Sequence, residues 1–347
     1  PENDVHSEKP ALPPVQSLNI FAQTSNFAQL PKLRPLSDEE LTQELTKRLN
    51  RPSSDRKVVY EVPCDNSKSV QACVGPCQHP LTYSPKETIE KLTKSPELRL
   101  DEKMQQAVST LGAHIPDSDL IIASAVSSNH FDEMQAMFES LHTKVYPVLE
   151  ERIQTTKLRP QLLQPQNKVA ISNFTMVLFD IGLSPAERIR TQKNCRCKII
   201  TFRKDLFPNH VSTNGCYSWK PLIMMAASQH ARKLILWQDS SVRWYSSFLD
   251  NLDRAYTAGH QVIRYTGSHR IPANTLKEMF NYMHEDACSY LPYPEIQGNL
   301  HIHRSDGFNK QVLFEPWARC AVEKSCICPR PPESVLSCSS GTLHRCH

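Results

Sequence analysis

The apolar run Lys233–Trp237 is followed by Gln238-Asp239-Ser240-Ser241, which sets a carboxylate at the end of a predicted strand. A carboxylate there can ligate Mg²⁺ or Mn²⁺ while leaving coordination positions for diphosphate oxygens. Such a cation neutralises charge that develops on a departing nucleoside diphosphate. Ser241 stands where a second acid would complete an Asp-x-Asp pair, so the metal reading rests on Asp239 with one hard charged ligand fewer. The competing reading is an Asp that caps a turn or pairs with Arg243. Asp180 ends a second apolar run and either accepts hydrogen bonds from a nucleobase or ribose or makes a turn before Gly182. Asn129 follows a third run and either faces a nucleotide or caps the next helix. Lys220, at a predicted helix start, suits a phosphate beside free helix N–H groups, as Arg243 does by charge; the plain alternative is a solvated lysine. Trp219 reads as core rather than as a sugar platform.

Other chemistry is less well supported. His301 and His303 alternate on a short predicted strand and so share a face, which reads as an exposed edge strand before it reads as a metal site. Cys326, Cys328, Cys338, His344, Cys346 and His347 lack the C-x₂-C pairing of structural zinc sites, so disulfides are the better reading. Asn173-Phe174-Thr175 is an N-glycosylation sequon at Asn173, though it opens a predicted strand. No G-x-G-x-x-G, no G-x-x-x-x-G-K-[ST], no G-x-S-x-G and no H-E-x-x-H occurs, against dinucleotide oxidoreductases, P-loop enzymes, serine hydrolases and zinc proteases.

The elements that must carry these residues alternate. Leu120–Ala123 is a strand buried on both faces, followed by a helix in which Phe131, Met134, Phe138, Leu141, Val145 and Val148 recur at helical spacing. Thr175–Phe179 is the next strand, and Ser184-Pro185-Ala186-Glu187 is a capping box with proline at the first helical position. Strands follow at Lys198–Phe202, Lys233–Trp237, Gln261–Tyr265 and Leu300–His303. Helices are expected from near Ser218, at Ser246–Tyr256 before Gly259, at Asn274–Met283 and at Phe308–Glu323. The pattern predicts an α/β fold with a mostly parallel, Rossmann-type sheet flanked by helices, with ligands at the carboxyl ends of its strands.

The chain of 347 residues is long enough for a large core. Its 26 prolines gather toward the ends, predicting a flexible stem over 1–57 with a helix at Asp38–Leu49, a small cysteine-containing lead-in over 58–115, a main domain over 116–347 and a Cys/Pro-rich tail. Lys86–Leu111 reads as helical, and Cys64, Cys73 and Cys77 with the Gly75-Pro76 turn mark a loop-rich module. A net charge of +4 with no basic run is too mild to argue for nucleic acid, so no nucleic-acid partner is expected. Twelve cysteines point to an oxidising compartment, the secretory pathway, and against the cytosolic methyltransferase that an α/β fold also admits. No run of ~18 apolar residues is present, so a membrane is reached only through an anchor outside these residues.

Five motifs in order, DLIIASAVSSNH (Asp119–His130), LFDIGLS (Leu178–Ser184), YSWKP (Tyr217–Pro221), LWQDSSVR (Leu236–Arg243) and PWARCAVEKSCICP (Pro316–Pro329), resemble a family of animal, notably worm, proteins catalogued as a domain of unknown function and grouped with GT-A nucleotide-diphospho-sugar transferases. The resemblance covers roughly Asp119–His347. It implies a Golgi-luminal or extracellular transferase, with Asp239 as the counterpart of the metal-binding acid, Mn²⁺ or Mg²⁺ as cofactor, and a nucleotide-sugar donor and a glycan or protein acceptor as partners. It also implies a pattern that continues past a C-terminal histidine-rich segment into an Asp-Gln pair, which this sequence lacks after His347. The rival expectation is a catalytically inactive secreted binding protein on the same scaffold.

Overall fold

The computed structural model describes residues 34–49, 84–163, 168–246, 248–264, 271, 275–285, 287–290 and 293–329. The expected Cys64/Cys73/Cys77 module, the stem up to residue 33 and the tail cysteines and histidines from Cys338 onward lie outside the described residues.

Six strands form one sheet: β1 (Ser118–Ser127), β2 (Phe174–Gly182), β3 (Lys198–Thr201), β4 (Ala231–Gln238), β5 (His260–Arg264) and β6 (Ile296–Arg304), in the order β3-β2-β1-β4-β6-β5. The first four are mutually parallel, and β6 runs antiparallel to both neighbours. The expected mixed α/β fold with a mostly parallel sheet is therefore the fold observed. β1 is buried along its whole length because it lies between β2 and β4 with helices on both faces. Its alternate residues feed two cores. Ile121 and Ala123 pack with α3 (Glu102–Gly112) and α7 (Trp219–Ser228), whereas Leu120 and Ile122 pack with α4 (Phe131–Ser140), α5 (Tyr146–Leu158) and α8 (Phe248–Ala258).

Several helices differ from the sequence reading for local reasons. The single helix expected from Phe131 is α4 and α5 joined by a wide π-helical segment, Leu141–Val145. Pro147, the second residue of α5, cannot donate a backbone hydrogen bond, so the ladder widens ahead of it. The same device recurs at Asn309–Phe314, ahead of Pro316 in α10 (Glu315–Val322). The capping box on α6 (Pro185–Asn194) forms as read, with Glu187 N donating to Ser184 Oγ and Ser184 N donating to Glu187 Oε2 at 2.8 Å. A second capping box, Ser84 with Glu87, starts α2 (Pro85–Lys94).

The described part of the stem is packed onto the main body. In α1 (Asp38–Leu49), Leu41 is buried against Ile89 and Phe308, and Arg48 reaches Asn309 Oδ1 at 2.9 Å and Asp306 at 3.0 Å. Full burial of a leucine contributes about 1.5–3 kcal/mol, enough to hold a three-turn helix that has no stability alone. The last helices, α9 (Lys277–Tyr282), α10 and α11 (Lys324–Ile327), close the α7 side. Cys320–Cys326 links α10 to α11, Cys216–Cys328 ties the loop before α7 to the end of α11, and Cys195–Cys197 sits in the turn before β3.

Candidate functional site at the sheet's carboxyl edge

From β1 the chain proceeds outward through β2 to β3, and β4 returns to the other side of β1. The order thus reverses between β1 and β4, and sheets of this kind take ligands outside the carboxyl ends of the two strands at such a switch. Here those ends lead into Ser127–His130 and Asp239–Arg243. Four of the five sequence motifs meet at this edge: the ends of β1, β2 and β4, and the start of α7.

Asp239 is held from three sides. Its N–H donates to Asn299 O at 2.8 Å, Trp237 Nε1 donates to its Oδ1 at 2.7 Å, and Lys220 Nζ lies 2.9 Å from the same oxygen. Lys220 also donates to Gly298 O at 2.7 Å, and its side chain is 10% exposed against 32% for Asp239. The rings of Trp237, Trp219 and Tyr217 stand 5.2, 5.8 and 5.9 Å from the ammonium. Burial pushes the Lys220 pKa down, and Asp239 opposes that shift. The solvated lysine that the sequence admits is thus a buried one. A local signal existed: α7 reads Trp-Lys-Pro-Leu-Ile-Met-Met-Ala-Ala-Ser, apolar all round, and a helix of that kind is buried on every face. Tyr217, directly before it, adopts φ 53°, a left-handed conformation uncommon for an aromatic residue.

Asp239 does not pair with Arg243. The Arg243 guanidinium donates to three carbonyls, Ser240 O at 2.7 Å, Val242 O at 3.0 Å and Glu133 O at 2.5 Å, and so ties the β4 loop to α4. Ser241 is exposed in the same loop. Asp180 faces the other way. Its Oδ1 accepts from Gly182 N at 3.0 Å and Leu183 N at 2.8 Å, and its Oδ2 takes Arg188 of α6. Gly182 has φ 146°, which this turn requires of a residue without Cβ. Asp180 and Asp239 flank β1 at roughly two strand spacings, ~10 Å, with partners on opposite faces of the sheet. Asn129 does not cap α4. It sits in a 3₁₀ turn, Ser128–His130, where its Oδ1 accepts from Ser127 Oγ at 2.5 Å, and His130 at the N-cap makes no side-chain cap. Ser128 Oγ, hydrogen-bonded to Gly182 O and Ser184 N, each at 3.1 Å, stitches the β1 turn to the β2 turn.

At the opposite, amino edge, Asn173 Oδ1 accepts from Asp119 N at 2.9 Å and Arg232 at 2.5 Å, and its Nδ2 donates to Asp117 O at 3.3 Å. The nitrogen that would carry the expected glycan is therefore engaged in joining β1 to β2.

The histidine pair departs most from the sequence reading. β6 is an interior strand between β4 and β5, so His301 and His303 are 4% and 5% exposed and face α7 and α10 beside Trp237, Trp317 and Phe314. They share a face as expected, but not an exposed edge. Their rings hydrogen-bond, Nδ1 of His301 to Nε2 of His303 at 3.0 Å, and the two outer nitrogens have no hydrogen-bond partner. Burial, and then neighbouring positive charge, depresses both, His301 well below the usual range and His303 to about 3.

The donor set does not fit a divalent cation held by protein alone. Among the described residues no group of three or more His, Cys, Asp or Glu is placed to hold a metal. Ser241 offers a neutral hydroxyl, and Asp239 Oδ1 already takes two N–H donors. The cavity of about 260 Å³ lined by Phe131, Phe138, His142 and Arg190 lies between α4 and α6, away from Asp239.

No family model matches the chain, and no curated protein is similar to it. Among solved structures, the fold is similar to core-mannan synthase A from Aspergillus fumigatus, determined in a Mn/GDP form, at a TM-score of 0.32 and 11% identity over 63% of this chain and 68% of that one.

Proposed function

We propose that this chain is a glycosyltransferase-like protein that binds a nucleoside-diphosphate sugar in the β1/β4 crevice, for transfer to a glycan or protein acceptor. The observation that carries the reading is the convergence of the β1, β2 and β4 ends and the α7 start at a topological switch point. In this reading Asn129 and Ser241 offer neutral polar groups to the donor, Asp239 and Lys220 form the charged floor, and Arg243 fixes the β4 loop. Asp180 acts by holding the turn on which the nucleoside rests. The three cysteine pairs among the described residues are compatible with the secretory pathway, and no helix among those residues is long and apolar enough to cross a membrane.

Calorimetric titration with a panel of UDP- and GDP-sugars, with and without Mn²⁺, tests the proposal. Saturable binding weakened at least tenfold by Asn129→Ala supports it, and absence of binding to every donor in both conditions sinks it. The engagement of Asp239 by Lys220 favours a second reading, a non-catalytic binding protein on the same scaffold. Donor binding without turnover for any acceptor would select it.

A further inference from the structure

We propose that the Lys220 ammonium occupies the place of a divalent cation at Asp239, so that this carboxylate is charge-balanced without Mn²⁺ or Mg²⁺. The inference rests on the donor-site reading for its purpose, but its geometry stands by itself. The two close contacts of Lys220 Nζ are a carboxylate oxygen, Asp239 Oδ1 at 2.9 Å, and a backbone carbonyl, Gly298 O at 2.7 Å. Carboxylate and carbonyl oxygens are the ligand types that a hard cation takes.

The charge is balanced within the protein: one ammonium faces one carboxylate, and Ser241 adds none. A divalent ion beside Asp239 would sit next to a fixed positive charge, with an oxygen already accepting from Trp237 Nε1 at 2.7 Å. The ammonium cannot easily withdraw. It is buried, it begins in the first turn of a helix packed on all sides, and Trp237, Trp219 and Tyr217 enclose it. Cys216–Cys328 further fixes the turn that leads into that helix. The lone acid at this edge thus takes its counter-charge from α7 rather than from bound metal.

The test reads metal binding in the absence of nucleotide, so its outcome is separate from that of donor binding. The full chain, Asp239→Asn, Lys220→Ala and the double variant Lys220→Ala/Asp239→Asn are titrated with Mn²⁺, and free ion is followed by electron paramagnetic resonance. Circular dichroism establishes that each is folded. The expected result is equal Mn²⁺ affinity for the wild type and Asp239→Asn, within twofold. Lys220→Ala, which frees both oxygens and the volume between them, should bind Mn²⁺ at least tenfold more tightly than the double variant. Wild-type binding tenfold or more tighter than that of Asp239→Asn would overturn the proposal, as would a folded Lys220→Ala indistinguishable from the double variant. If Lys220→Ala does not fold, the comparison of wild type with Asp239→Asn decides alone.

Discussion

Acidification should destabilise this protein through the His301–His303 pair at a pH where most carboxylates are still ionised. Both imidazoles are buried and neutral, and His303 is depressed from 6.5 to about 3. A group depressed in this way favours folding above its unfolded pKa. As pH falls below about 6.5 the unfolded chain takes up a proton that the folded chain refuses, and stability drops until the folded pKa is reached. At pH 5 the loss from His303 alone is about 2 kcal/mol, at 1.36 kcal/mol per pKa unit. His301 is depressed in the same direction and adds to it. The charges facing the pair are Lys220 from α7, His260 from β5 and Arg48 from α1, all of which disfavour a further positive charge. The perturbation is the double variant His301→Phe/His303→Phe, which keeps ring volume among Trp237, Trp317 and Phe314 and removes the titrating nitrogens. Removing two buried atoms without partners offsets the loss of the inter-ring hydrogen bond, since an unsatisfied buried polar group costs about 1–3 kcal/mol. Urea denaturation at pH 7.5 and pH 5.0 reads the effect as a change in midpoint at constant slope. The wild type should lose at least about 2 kcal/mol more than the variant between the two pH values. Parallel losses in the two proteins would refute the assignment of neutral buried imidazoles.

Three further outcomes are expected. Asn173→Ala should lower the thermal midpoint in a melting experiment, because its carboxamide accepts from Asp119 N and Arg232 and donates to Asp117 O. Asp180→Ala should cost about 2–3 kcal/mol in chemical denaturation, since two backbone N–H groups and Arg188 lose one acceptor, whereas Asp180→Asn should recover about half of that. Replacing Cys216 and Cys328 together by serine should cost about 2–4 kcal/mol, because the pair closes a loop of 112 residues, and reductant should lower the melting temperature of the wild type but not through this pair in the variant.

The strands were legible wherever burial on both faces left an unbroken apolar run, as in Leu120–Ala123 and Leu234–Trp237, and the capping box at Ser184 marked its helix by local chemistry alone. What failed was non-local. Whether His301 and His303 lie at an edge or in the interior depends on β5 hydrogen-bonding to β6, a pairing made after the chain has passed both strands, and no periodicity within Leu300–His303 encodes it. The alternation itself was informative and was read correctly as to face: Ile302 joins the α4/α8 core while the histidines point to α7 and α10.

Lys220 completes the argument about the edge, because it joins what was legible to what was not. The sequence shows one acid after β4 and no second one, an incomplete metal site. The tertiary structure supplies a counter-charge to that acid from α7, 19 residues earlier in the chain by the numbering of Lys220 and Asp239. A buried charge with its partner removed is strongly destabilising, by about 3–5 kcal/mol, so Lys220 and Asp239 constrain each other whether or not a donor binds. The position of Asp239 therefore cannot be weighed by its motif alone. Its surroundings are set by a lysine that the motif does not contain, and the ion pair rather than the lone acid is the unit that stands at the carboxyl end of β4.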